Sequence, residues 1–315
     1  MKKRYGFAAA LLLSLAFLSS AKEARALEDV TISYSGPSFG FLVPEIARAR
    51  GFFRERNLDV KFLMTRSEVD RIGIASGNID FTLRTGGTFV GAARGLPVRV
   101  VFIASTKPMW ALVARKDVGG VADLKGKVIG IGGFGGANHL TAKAIFKQHG
   151  LDPERDVIYK IITGAHLPAI QSGSIDAMLM NYNESVRAKQ IGYKALLNAA
   201  DYYTSITSGV GTSVQRIKEK PDQVKRFLAS MTQALKYLRE NRAGTLDVAM
   251  KWLKMDRGTA EEVYDLSIGG FTADGTVDEE KLKVIADQML AEADIKAVPV
   301  SQLIDLSLLR QALQN

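Results

Sequence analysis

Apolar residues come in short runs separated by stretches with helical spacing, and the two alternate along the first two thirds of the chain. Residues 30–34, 58–64, 79–84, 98–104 and 110–115 read as strands, being filled by β-branched and apolar side chains and bounded by turn residues. Helices are predicted between them over 41–50, where Leu42, Ile46 and Ala49 share a face, over 67–76 and over 89–94. The scheme then restarts. A small helix at 121–124 precedes strands at 128–131, 157–162 and 177–180, with helices over 137–149 and 167–171 and another opening at 181–184. From Val214 onward the spacing is helical: Pro221 stands at a first-turn position, and Val224, Phe227, Leu228, Met231, Leu235 and Leu238 form one apolar face. Further helices are predicted over 246–253, 259–267 and 279–292. Alternating strands and helices predict parallel α/β sheets, and the helical tail is expected to cap the first of them.

The restart is also a repeat of sequence. Ile74-Ala75-Ser76-Gly77-Asn78-Ile79-Asp80-Phe81-Thr82-Leu83 returns 96 residues later as Ile170-Gln171-Ser172-Gly173-Ser174-Ile175-Asp176-Ala177-Met178-Leu179, identical at six of ten positions. Each copy reads as a helix end, a glycine where left-handed backbone costs least, and a buried strand. A period near 97 residues is too long for a solenoid, whose units run about 20–50 residues, and fits two similar lobes. Lobe 1 is predicted to comprise residues 27–106 and 208–315, and lobe 2 residues 107–207. The chain would cross between them twice, near 104–110 and 203–211. A cleft between two like lobes is a favoured place for a small ligand.

Residues 1–26 change the charge. Lys2, Lys3 and Arg4 precede a twelve-residue stretch, 7–18, that is apolar but for Ser14, and Ala24-Arg25-Ala26 has the small-x-small cleavage pattern. That is the layout of a secretory signal peptide, and its apolar core falls short of the about 20 residues needed to span a bilayer. A periplasmic protein is expected. Without the leader the formal charge falls from +9 to +5, with no basic block, which disfavours nucleic acid as a partner. The chain has no cysteine, so neither thiol catalysis nor cysteine-held metal is available to it.

In parallel α/β sheets, ligands sit beyond the carboxyl ends of strands. That rule selects the loops 35–40, 84–88, 132–139, 163–166 and 181–184, each of which leads into a helix whose free N–H groups favour anions. Gly133-Phe134-Gly135-Gly136 allows close backbone approach to an anion, with Asn138 and His139 as donors in the following turn; it matches neither a dinucleotide fingerprint nor a P-loop. Arg84 ends a buried strand and can clamp a carboxylate, sulfonate or phosphonate. Trp110 stands at the predicted crossing as a candidate pocket wall. Phe39, Phe134 and Tyr182 are loop aromatics able to stack on a planar ligand. His139, His149 and His166 form no metal-ligand pattern, so no metal and no cofactor are expected. Asp80 and Asp176 occupy equivalent turns, which favours pinning of the turn over catalysis.

The helix-Gly-x-Ile-Asp turns, Ala47-Arg48-Ala49-Arg50-Gly51-Phe52-Phe53 and Val121-Ala122-Asp123-Leu124-Lys125-Gly126-Lys127 resemble periplasmic substrate-binding proteins of ABC importers. Within that group the resemblance is to the nitrate, sulfonate, taurine and thiamine-precursor binders. It implies an α/β two-lobe periplasmic-binding-protein (type II) fold with a hinge of two crossing segments. It also implies a monomer without catalysis that captures a small organic anion and delivers it to a membrane permease. Carried onto this chain, the ligand loops fall on 38–41, 84–88, 135–139 and 181–183. With the loop reading, the candidate ligand residues are Ser38, Phe39, Phe41, Arg84, Thr85, Thr88, Trp110, Gly135, Ala137, Asn138, His139, Asn181 and Asn183. Arg84 departs from the small or aromatic residue expected there. The cysteine-rich motif of the thiamine-pyrimidine synthases is absent. Two rivals stand beside this reading: a lyase of the chorismate-dehydratase type on the same fold, and a periplasmic sensor subunit.

Overall fold

The computed structural model describes residues 26–314; the predicted leader falls outside them except for its last residue. In chain order the strands are β1 (Glu28–Tyr34), β2 (Leu58–Met64), β3 (Phe81–Thr82), β4 (Val98–Ser105), β5 (Trp110–Ala114), β6 (Val128–Ile131), β7 (Ile158–Ile161), β8 (Ala177–Asn181), β9 (Lys194–Asn198) and β10 (Ser208–Ser213). Among the described residues they form two five-stranded sheets, ordered β2-β1-β3-β10-β4 and β7-β6-β8-β5-β9. In the first, β1 is parallel to β2 and β3, while β10 runs antiparallel to β3 and β4. In the second, β6 is parallel to β7 and β8, while β5 runs antiparallel to β8 and β9. With β6, β7 and β8 matched to β1, β2 and β3, the two orders are the same. The single reversed strand in each is the one by which the chain enters that lobe.

The repeated turn is the element that fastens each lobe. Gly77 and Gly173 have φ of 77° and 72°, left-handed backbone that a side chain would strain. Asp80 Oδ2 accepts the Thr31 N–H at 2.7 Å, and Asp176 Oδ2 accepts the Val128 N–H at 2.8 Å. Each carboxylate thus ties its turn to the neighbouring parallel strand, β1 or β6.

Several elements differ from the sequence reading. β3 is two residues long, and the helix Thr85–Ala93 begins four residues earlier than predicted. Thr88 closes its first turn, N–H and hydroxyl both bonding to the Arg84 carbonyl at 3.0 and 3.1 Å. β9 and β10 are strands that the sequence pattern does not predict, and the second crossing ends at 207, just before β10 begins at Ser208. The helical tail, expected to cap the first lobe, touches both. Phe227 of the helix Pro221–Glu240 stacks on Phe81 with centroids 4.0 Å apart. Farther along, Arg187 donates to the carbonyls of Leu253 and Lys254 at 2.8 and 2.7 Å, and Lys147 pairs with Glu292 at 3.0 Å. The crossings lie side by side: the Ser205 N–H bonds to the Thr106 carbonyl and the Thr207 hydroxyl to the Lys107 carbonyl, both at 3.0 Å. No described helix is long and apolar enough to cross a membrane.

Candidate ligand-binding site

The carboxyl ends of β1, β3, β6, β7 and β8 open onto one cavity of about 370 Å³ between the two sheets, within the range of small-molecule sites. Met109, Trp110, Thr207 and Ser208, from the crossing segments and the strand ends beside them, complete its wall. Two helices start at this cavity, Thr85–Ala93 from the first lobe and Ala137–Gln148 from the second. Their first turns meet closely: a Cβ on Gly86 would lie 2.6 Å from that of Ala137. Two sets of helix N–H groups without intrahelical partners therefore converge on one place.

Arg84 stands at the N-cap of the first of these helices, half-buried in the cavity wall. Nη1 donates to Ser67 Oγ at 3.1 Å and Nη2 to the Thr65 carbonyl, while the buried Nε has no partner. Burial lowers the guanidinium pKa from its ordinary value, against the opposing pull of Asp70 and Glu68. An arginine remains charged through such a shift. No carboxylate forms an ion pair with it among the described residues, so its charge faces the cavity without a direct counter-ion.

Of the predicted residues, Ser38, Phe41, Arg84, Thr85, Thr88, Trp110, Gly135, Ala137, Asn138 and Asn181 line this cavity. Phe39, His139 and Asn183 do not. Phe39 is 1% exposed and packs against Tyr264 and Phe271, because the short helix Phe39–Phe41 turns it toward the core. Asn183 is buried behind the wall, where its Oδ1 accepts the Phe39 N–H at 3.5 Å. His139 turns back on its own loop: Nδ1 accepts the Gly135 N–H at 3.1 Å, and the ring lies edge-on to Tyr159, 4.7 Å between centroids. Burial, with Lys143 nearby, lowers its pKa to about 4, so it is a neutral fastener of the glycine loop.

Two acidic groups in the wall are absent from the candidate ligand residues, although Glu184 lies in the selected loop 181–184. Asp70, on the helix Ser67–Ala75, is 5% exposed and accepts from the Ser33 and Thr82 hydroxyls. Burial raises its pKa, and those hydrogen bonds together with Arg84 and Arg71 counter the rise. Glu184 pairs with His166 Nδ1 at 2.9 Å, supplying the carboxylate partner that spacing alone did not reveal. A mixed-charge pocket formed by loops of both lobes is suited to holding a small polar molecule, with both lobes in contact with it.

The architecture is the periplasmic-binding-protein fold. Residues 40–243 match the NMT1/THI5 like family, and the chain belongs to it. A curated relative, the riboflavin-binding protein RibY of Chloroflexus aurantiacus, is 25% identical over 305 residues, 92% of this chain and 72% of RibY. Among solved structures, the alkanesulfonate-binding protein SsuA of Xanthomonas axonopodis pv. citri, bound to MOPS, superposes with a TM-score of 0.71 at 17% identity, covering 92% of this chain and 99% of SsuA. The desulfurization enzyme DSZB has the same fold, with a TM-score of 0.64 at 14% identity over 91% of this chain and 99% of that one.

Proposed function

We propose that this protein is the exported solute-binding component of an ABC importer, capturing a small organic anion between its lobes and delivering it to the membrane permease. It acts as a monomer, without catalysis and without nucleic acid, its leader removed on export. Lobe 1 is residues 27–106 and 208–315, and lobe 2 is 107–207. Ser38, Phe41, Arg84, Thr85, Thr88, Trp110, Gly135, Ala137, Asn138 and Asn181 contact the ligand. The observation that carries this reading is the meeting of Arg84 with two helix N-termini, one from each lobe, at a single cavity. Family membership and the SsuA and RibY likenesses support a binding role. Ligand contacts from both lobes favour the closed arrangement, and that difference in affinity is what drives hinge closure.

A thermal-shift screen with sulfonates, carboxylates, nitrate and pyrimidines tests it, since a ligand of the native state raises Tm. With the strongest anion found, calorimetry on Arg84→Ala should show a loss of about 2–5 kcal/mol; unchanged affinity removes Arg84 from the site. Gly86→Val should wedge the two helix starts apart, weakening that anion by about tenfold or more and reducing ligand-induced compaction in small-angle scattering.

A further inference from the structure

The two walls of the cavity differ in what they leave free. On the second lobe, the side-chain donors are turned inward. Trp110 Nε1 donates to Asn181 Oδ1 at 2.9 Å, Asn181 Nδ2 to Glu184 Oε2 at 3.3 Å, and Asn138 Nδ2 to the Leu179 carbonyl at 2.8 Å. His166 Nδ1 lies 2.9 and 3.0 Å from the two Glu184 oxygens. Apart from the N–H groups that open the helix Ala137–Gln148, what these side chains leave free is acceptor capacity. Asn138 Oδ1 is buried and has no partner, its amide orientation fixed because only the nitrogen can donate to Leu179. Glu184 has no lysine or arginine in ion-pair range among the described residues, and its two oxygens offer about four lone-pair sites, not all of them used.

A ligand made only of acceptors, such as a plain sulfonate or nitrate, satisfies Arg84 and the helix starts but brings negative charge toward Glu184 and Asp70. Size points the same way. The cavity would hold roughly a dozen waters at about 30 Å³ each, more than a two-carbon sulfonate fills.

Building on the anion reading above, we infer that the ligand is two-ended. Its anionic group lies on Arg84, and N–H donors, amino or ring imino, at its other end are received by Glu184. The class is that of amino- or imino-bearing organic acids longer than an aminoethane sulfonate, and Glu184 is the residue that selects for the donor end.

Calorimetry on the full mature chain with matched pairs tests this: 3-aminopropane- and 4-aminobutanesulfonate against propane- and butanesulfonate, and aminobenzoates against benzoate. The amino member of the tightest pair should bind about tenfold or more tightly, the worth of a charge-assisted hydrogen bond. Glu184→Gln, with its fold confirmed by thermal melting, should collapse that ratio while leaving the amino-free anions unchanged or tighter. Amino-free anions binding as tightly as their partners, or a ratio untouched by Glu184→Gln, overturns the donor end and leaves the anion reading standing. No binding by any anion of either series overturns both. Arg84→Ala reports on the anionic end separately, lowering both members of a pair alike.

Discussion

Asp80 and Asp176 hold equivalent turns with equivalent hydrogen bonds, yet their cationic neighbours place them in different energetic regimes. Asp80 is paired with Arg216, whose side chain is 10% exposed and lies over the Phe81 ring, and burial lowers that guanidinium's pKa. Asp176 has Arg115 at 3.6 Å, 41% exposed and shared with Asp117. A repeated turn therefore fixes geometry in both lobes, while burial of the partner decides how much each carboxylate matters. The same division runs through the cavity. Its two walls are built from matching loops, but one presents an arginine without a counter-ion and the other a glutamate already bound to a histidine.

The largest expected difference is between the two turn carboxylates. Asp80→Ala should cost about 3–5 kcal/mol by urea denaturation, because Arg216 is left buried and uncompensated. Asp176→Ala should cost about 1–2 kcal/mol, mainly the lost acceptor for Val128. Asp80→Ala combined with Arg216→Met should recover part of the loss; equal costs for the two single variants would dissolve the contrast.

Next come opposite pH slopes from His139, which holds the glycine loop of the second lobe, and Asp70, in the cavity wall of the first. His139 has a folded pKa of about 4 against an ordinary 6.5, so the unfolded chain binds its proton first. Its stabilising contribution is complete above pH 6.5 and is lost as pH falls toward 4. It amounts to about 2 kcal/mol after allowance for solvent screening, and His139→Gln should flatten that part of a Tm-against-pH curve. Asp70 acts with the other sign and a smaller amplitude. Its folded pKa is raised, so the folded chain binds the proton first and stability falls as pH climbs from the ordinary carboxylate range through the raised value. Asp70→Asn should remove that fall and leave Tm at pH 7 equal or higher. A lower Tm there would show the charged form to be the stabilising one.

Much of the scaffold is legible in the chain because its strands are apolar runs and its turns need glycine and aspartate. β2, β6 and the small helix at Val121–Leu124 lie at their predicted bounds. β10 is hidden for a physical reason. Its sequence, Ser208-Gly209-Val210-Gly211-Thr212-Ser213, has small residues where strands usually carry bulky ones, since added Cβ atoms at Gly209 and Gly211 would collide with the Phe102 carbonyl and Thr88. In the site, Arg84 is legible as a charge at a strand's end. Glu184 and His166 lie in selected loops, but their pairing is not legible, because they come from separate helices and meet only in the fold. Phe39, Asn183 and His139 occupy the right loops but face away, and sequence position does not carry side-chain direction across a helix start.

The most direct measurement of the central claim is a crystal structure of this protein with the tightest-binding organic anion from the screen. The anionic group should lie against Arg84 Nε and the N–H groups that open the helices Thr85–Ala93 and Ala137–Gln148, touching both lobes at once. An anion seated on one lobe alone, or outside this cavity, would contradict it.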